Sequence, residues 1–407
     1  MAVNLIRNSR VFFTTNVDSQ GRVRAGAYKD DANPFSITNT FEIQVLEGMT
    51  FSQNTTVDTV TLNEAGAAPA RGQRSFNTAL EPLDFTFSTY LRPYLHPGAN
   101  AGVTTDDYVT CEEKWLWNAF GGSIPFGTTN AAWADGAVNN AGPGTFTVAN
   151  SNKHQLQAFG LIVVFDDLAY ALDNCALDTA TIDFGIDAIA AIQWAGKGSL
   201  IRQLTLTASA ASNNEVTFSG ADVTSTPNNP DDKALAKNTL AKFITNKLTV
   251  LQVNNDINDF TGSDYSVPIT GGSITMSNNL TYLTPANLGV VNLPITYFTG
   301  TRSITGTLTA YLRSGSANTG GLLNSLISSA ATEINPSYAI NIQMGGTTGT
   351  HVDVGIPAAM LQIPTVNTEQ VISTTLTFTG QGSTAGQNPV FDIDQANEVT
   401  VKYYATA

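Results

Sequence analysis

Apolar and polar residues alternate with period two along several stretches of this chain, and each stretch predicts a half-buried strand. Phe41-Glu42-Ile43-Gln44-Val45-Leu46 is one of them. A longer one puts Leu83, Phe85, Phe87 and Leu91 on one face and Asp84, Thr86, Ser88, Tyr90 and Arg92 on the other. A sheet with one packed side and one polar side leaves this signature. Further strands are expected at Arg10 to Thr15, Leu248 to Val253 and Glu398 to Tyr404. The period changes over Asp107 to Phe120, where Tyr108, Cys111, Trp115 and Ala119 share a helical face, with Leu116 and Phe120 beside them. A second helix has Asn318 or Thr319 to cap it and an apolar stripe of Leu322, Leu323, Leu326, Ile327, Ala330 and Ala331. Strands far outnumber helices.

The strand pattern also repeats. Phe85-Thr86-Phe87-Ser88-Thr89-Tyr90-Leu91-Arg92 returns as Gly306-Thr307-Leu308-Thr309-Ala310-Tyr311-Leu312-Arg313. A Thr/Asn-rich, hairpin-like stretch precedes each copy, Asn54 to Gly66 and Asn278 to Gly289. Later, Ile192-Gln193-Trp194-Ala195-Gly196-Lys197-Gly198 is echoed by Leu376-Thr377-Phe378-Thr379-Gly380-Gln381-Gly382. The repeat divides the chain into a first unit, 1–245, and a second, 246–407. The Gly- and Asn-rich stretches near 121–152 and 207–237 are expected as loop insertions in the first. The expected fold is mainly β, with two tandem sandwich- or barrel-like units carrying one short helix each. Two similar units per chain suit a closed ring with half as many chains as units.

Composition narrows the class. The 407 residues are 42% hydrophobic, enough for packed cores, but only 13% charged, with Thr, Ser, Asn and Gly at the polar positions. The balance of 19 basic against 33 acidic residues gives a formal charge of −14 and no basic stripe. Tight phosphate-neutralising binding of nucleic acid is therefore not expected. Cys111 and Cys175 are too few for a disulfide framework and too far apart for a zinc site. No apolar stretch of signal-peptide length opens the sequence, and the run Leu161 to Phe165 is far too short to cross a bilayer. Synthesis in a cytoplasm and no membrane association are expected.

Chemistry-bearing patterns are sparse. His96, His154 and His351 stand in no metal-binding spacing, and no serine lies in a GxSxG elbow. Phosphate-loop and dinucleotide fingerprints are missing as well. Asp256-Ile257-Asn258-Asp259-Phe260 starts like a calcium loop but has Phe260 where an oxygen ligand belongs. Neither catalytic residues nor cofactor nor metal ligands are assigned. A surface adhesin-like β protein remains one alternative. A carbohydrate-active enzyme, which needs only two carboxylates on a groove, is another.

Longer motifs carry a resemblance. Asn63-Glu64-Ala65-Gly66, Arg71-Gly72, Phe76-Asn77 and Phe87-Ser88-Thr89-Tyr90 resemble the tail tube proteins of long-tailed bacteriophages. Val267-Pro268-Ile269-Thr270-Gly271-Gly272, the run Asn278 to Pro285, and the opening Leu5 to Phe12 are similar to the same family. The likeness is strongest to the duplicated tube proteins of siphovirus-type coliphages. It implies trimeric, pseudo-hexameric rings that stack into a hollow tube around one continuous inner β-barrel. It further implies a virion location after assembly in the host cytoplasm. The implied partners are other copies of the chain, a tape-measure protein and genomic DNA in the lumen, and tail tip, baseplate and terminator proteins at the ends. Relatives in that group carry an immunoglobulin-like decoration after the last strand, and a chain ending at Ala407 is expected to lack it.

A conduit wall that must release DNA quickly should offer hydroxyls and carboxylates, since each Lys or Arg contact adds affinity through counterion release. Thr86 and Ser88, with their repeat partners Thr307 and Thr309, are the lumen-facing candidates; hairpin residues near Val57 to Thr61 are the competing choice. The loops Gly66 to Asn77 and Leu288 to Phe298 are candidates for ring stacking. Arg71, Arg74 and Arg302 are expected at inter-ring or subunit contacts, where rare positive charge meets carboxylates.

Overall fold

The computed structural model describes residues 9–23, 40–61, 72–96, 107–121, 132–140, 142–148, 156–165, 168–204, 242–332, 337–367, 371–382 and 397–406. It is mainly β, with helices only at Lys114–Gly121 and Thr319–Thr332 beyond short 3-10 turns among these residues.

Each half of the chain is organised around a long strand that serves two layers. In the first half this is Leu168–Gly185. Its opening part lies between Phe159–Phe165 and Leu200–Leu204, and its closing part between Ala191–Gly198 and Ile269–Ser277. The strand turns from one layer to the other around Asn174, whose φ of 49° few residues but Asn and Gly accept. A bulge between Leu177 and Thr179 completes the turn. The second half repeats the device. His351–Leu361 lies between Ser337–Met344 and Thr400–Tyr404 at its start and joins Ser373–Gln381 at its end.

Between the layers lies a core drawn from both halves. Trp117 and Trp194 are fully buried and meet edge to face, with ring centroids 5.0 Å apart. Burial of an indole leaves its N–H in need of an acceptor. Trp117 donates to the Tyr403 hydroxyl (2.9 Å), 286 positions along the chain, and Trp194 donates to Thr89 Oγ1 (3.0 Å).

Three expectations change here. Tyr108–Cys111 is a strand paired with Pro93–His96, so the helix begins only at Lys114. The inward positions Val109 and Cys111 are buried by that pairing, which mimicked a helical face in the sequence. The stretch near 121–152 is more than a loop. Trp133–Ala134 and Gly144–Thr147 pair with each other, and Gly144–Thr147 pairs in turn with the C-terminal strand Thr400–Tyr404. In the second helix only Thr319, Leu322 and Leu326 are buried, while Ile327 is 49% exposed. Its expected caps tie backwards instead. Thr319 Oγ1 donates to the Tyr311 carbonyl and Asn318 Nδ2 to the Ser314 carbonyl. The stretch near 207–237 lies outside the described residues.

One buried carboxyl makes the fold sensitive to pH. Glu113 is 1% exposed, and its Oε1 accepts the Arg92 backbone N–H (3.0 Å). The Arg92 guanidinium is engaged by Glu112 (3.1 Å) and Gln44 (2.7 Å). Burial pushes the Glu113 carboxyl up from 4.5 to about 7. Between those values the folded chain holds a proton that the unfolded chain has released. Stability conferred by this group is thus complete below about pH 4.5 and is lost as the pH rises towards 7. Glu113→Gln is expected to exceed the parent at pH 8 by about 3 kcal/mol, because each tenfold change in proton affinity is worth roughly 1.4 kcal/mol. The advantage should vanish by about pH 4.5, and thermal melts of both proteins across this range check it.

Candidate functional site

One of the two layers is an antiparallel sheet that continues across both halves. In order it contains Thr50–Ser52, Leu83–Tyr90, Ala191–Gly198, the end of Leu168–Gly185, Ile269–Ser277, Ser303–Tyr311 and Ser373–Gln381. Met360–Leu361 and Thr365–Asn367 close it on the far side of the last. One face packs on the core, through Phe85, Phe87, Ile192, Trp194, Ile182, Ile274, Leu308, Leu376 and Phe378.

The other face is a lawn of small polar groups. Register places Thr86 between Thr50 and Ala195, and Ser88 beside Gln193. Gln193 continues through Thr181, Thr275 and Thr305 to Thr379. The next row runs from Asp183 through Ser273 and Thr307 to Thr377. A further row holds Gly271, Thr309, Thr375 and Thr365. All four expected wall residues, Thr86, Ser88, Thr307 and Thr309, therefore share one face of one sheet. Hydroxyls bond across strands at Thr50 and Thr86 (2.8 Å), Ser273 and Thr307 (3.2 Å), and Thr181 and Thr275 (3.2 Å). Lys197 is the one cation on this face among the described residues, and Asp84 neutralises it at 2.7 Å.

Register also fixes how the two repeats correspond. Phe85 stands opposite Gly196, and Gly306 opposite Phe378. A Cβ on Gly196 would run into the Phe85 ring, and one on Gly306 would run into the Phe378 ring. Ring and glycine have exchanged strands between the repeats. With Thr86 matched to Thr307, Trp194 falls on Leu376, two residues away from the echo seen in the sequence. Thr181–Asp183 then corresponds to Thr365–Asn367, and Thr50–Ser52 to Ser273–Thr275.

The halves join where Thr181, Ile182 and Asp183 pair with Thr275, Ile274 and Ser273. The counterparts of these two partners, Thr365–Asn367 and Thr50–Ser52, form the two ends of the sheet. Neither has a strand on its outer side among the described residues. An open edge exposes unpaired amides and carbonyls, a template for another strand. Apolar side chains lie exposed beside the far edge, with Ile363 at 55% and Val371 at 61%.

A hairpin extends from each half, Thr55–Thr61 with Gln73–Leu80, and Leu280–Leu283 with Thr296–Thr299. They touch each other, the Leu80 N–H donating to the Asn292 carbonyl at 2.9 Å. Both present bare apolar side chains, Val57, Val60 and Phe76 on the first and Leu288, Val290 and Ile295 on the connection in the second. Arg74 is exposed on the first hairpin, opposite Val60. Arg302 is paired within the chain to Glu398, with Nη2 to Oε2 at 2.5 Å. Arg71 lies outside the described residues. Sequence patterning does not mark the sheet edges as sites; the loop Leu288 to Phe298, expected as a stacking candidate, carries the exposed apolar residues Leu288, Val290, Val291, Leu293 and Ile295.

Against curated proteins, the chain is 30% identical over 389 residues to the tail tube protein pb6 of Escherichia phage T5, covering 93% of this chain and 72% of that protein. The chain belongs to the phage tail tube proteins. No family model matches it. As a tail tube protein it is a structural component of the virion rather than an enzyme, and the polar sheet, open edges and apolar hairpins belong to a part made for self-assembly. No described helix of this tail tube protein is long and apolar enough to cross a membrane.

Proposed function

We propose that three copies close into a pseudo-hexameric ring, that rings stack into a hollow tube, and that DNA passes through its lumen into the host. The observation that carries this reading is the junction inside the chain. The sheet there is continuous between Thr181–Asp183 and Ser273–Thr275, and the counterparts of these two elements recur at its ends with no strand on their outer side among the described residues. Repeating the junction between copies sets Thr365, Val366 and Asn367 of one chain opposite Ser52, Phe51 and Thr50 of the next. A ring closed this way has no sheet edges left.

In this reading the tandem units are 1–245 and 246–407, and the hydroxyl-bearing face lines the lumen. Burial of the opposite face in the core supports that orientation. A tape-measure protein and then DNA occupy the lumen without specific binding. Tip or baseplate and terminator proteins close the ends. The apolar hairpins reach the adjacent ring, with Arg74 among their contacts. Arg302 stands at the subunit boundary, held by Glu398.

Electron microscopy of the concentrated, purified protein tests the reading. Averages viewed down the particle axis are expected to show three-fold rings or tubes with six similar lobes. Compact monomers at every concentration, or rings of another symmetry, would overturn the trimer.

A further inference from the structure

The segment 242–246, at the join of the two halves, lies across the first. The Lys242 N–H donates to the Pro93 carbonyl (3.2 Å), the Ala190 N–H to Ile244 (2.8 Å) and the Asn246 N–H to Ala188 (3.0 Å). Thr245 and Ile189 form an antiparallel bridge. Side chains alternate along this strap. Phe243 meets the Tyr90 ring edge to face at 5.3 Å and carries the Arg92 guanidinium 4.6 Å from its ring centre. Ile244 turns the other way, 2% exposed, towards Gly345 of the second half.

The repeat supplies the same landing surface a second time. Tyr90 and Arg92 correspond to Tyr311 and Arg313. Ala190 corresponds to Ile372, because the Leu91 N–H donates to Ala190 and the Leu312 N–H donates to Ile372. In the first half, under the strap, Ala190 is 0% and Arg92 4% exposed, while Ile189 at the bridge keeps 40%. In the second half Ile372 is 44%, Tyr311 46% and Val371 61% exposed, and Arg313 is exposed as well. The surface is built, and no described residue of the chain covers it.

The sequence also supplies a second strap. Phe243-Ile244-Thr245-Asn246 is matched by Leu5-Ile6-Arg7-Asn8. Each precedes a strand holding the same place in its half. Val250–Asn254 pairs with Ser337–Met344, and Ser9–Thr14 pairs with Phe159–Phe165. The 3-10 turn Asn246–Leu248 makes up the difference in spacing.

We propose that Leu5–Asn8 of one copy straps onto the surface formed by Tyr311, Arg313, Val371 and Ile372 of a neighbouring copy. By that match Leu5 corresponds to Phe243, Ile6 to Ile244 and Arg7 to Thr245, the bridge partner of Ile189, whose counterpart in the second half is Val371. Inside the chain, a strap lies on the half whose sheet edge its own half extends. For the first half, that neighbour is the second half of another copy, so the inference rests on the ring reading above. The strap would add to the strand junction a second contact reaching from each subunit to the next.

Antiparallel bridge partners are close enough for a disulfide, so Arg7→Cys with Val371→Cys in the full-length chain tests the contact. Thr245→Cys with Ile189→Cys serves as the control within one chain. Cys111 and Cys175 are both buried, which keeps them from competing. Mild oxidation of assembled tubes is expected to link chains into dimers and closed trimers on a non-reducing gel. Tubes without any link between chains, or a link only within a chain, would overturn the strap and leave the ring reading standing. A failure to form rings or tubes even in the parent would remove both. As a second variant, Leu5→Asp is expected to cut tube yield about tenfold, the equivalent of 1.4 kcal/mol at each contact, with the melting of the monomer unchanged. Parent-like yield would count against the strap.

Discussion

Phe378→Gly and Gly306→Phe are each expected to destabilise the protein severely, and the double variant is expected to recover part of the loss, since a Cβ at Gly306 still crowds the Ser273 carbonyl. Phe378 is 2% exposed and lies over Gly306 in the cross-strand pair. Deleting a buried phenylalanine costs about 3–5 kcal/mol, and glycine within a strand adds to that. Placing a ring at Gly306 while Phe378 remains sets two aromatic side chains in the space of one, a strain of about 3 kcal/mol. With both exchanges made, the pair has the arrangement already present in the other repeat, where Phe85 lies over Gly196. The two sites touch, so their effects should couple by about 3 kcal/mol. Denaturant melts of the four proteins measure that coupling. Additive losses would show that the two repeats do not share a packing rule at this position.

The same pair explains what is legible in the sequence and what is not. Alternation in Leu83–Tyr90 is plain because that strand has one wet and one dry face. The repeat of Phe85 to Arg92 in Gly306 to Arg313 also has the correct register, as the shared cross-strand hydroxyl bonds of Thr86 and Thr307 show. Its partner strand matches two residues off, since an alignment of like with like cannot follow a ring and a glycine that trade strands. From Ala171 to Leu177 the long first-half strand is buried on both faces, so no period marks it. Non-local partners leave no signal at all. Nothing near Gly144–Thr147 announces the strand Thr400–Tyr404, and Arg302 is as free in the sequence as Arg74 although Glu398 holds it.

The candidate wall residues illustrate the other limit. Thr86, Ser88, Thr307 and Thr309 can be assigned to a single face from alternation alone, yet their place among neighbours depends on strand order, which crosses from one half to the other. Only that order reveals how uniform the face is. Hydroxyls dominate it, and its Lys197 is neutralised at short range by Asp84.

That uniformity sets up the second large effect. Replacing Thr86 and Thr307 together with lysine is expected to leave tubes assembled and to slow DNA ejection strongly. Both positions lie on the polar face, Thr307 exposed and Thr86 half-buried at its core-distal side, so a long side chain extends into solvent without disturbing the core. What is lost locally is one hydroxyl bond to Thr50 and one to Ser273, contacts of about 1 kcal/mol each at most. The gain for DNA is larger. Each subunit of each stacked ring would offer two ammonium groups, and every phosphate neutralised releases counterions. Because log affinity falls linearly with log salt, the retardation should fade as ionic strength rises, a behaviour that a merely misfolded tube would not show. Ejection timed by the fluorescence of a DNA dye, at low and high salt, separates these cases. Parent-like ejection at low salt from intact tubes would mean that this face does not line the lumen.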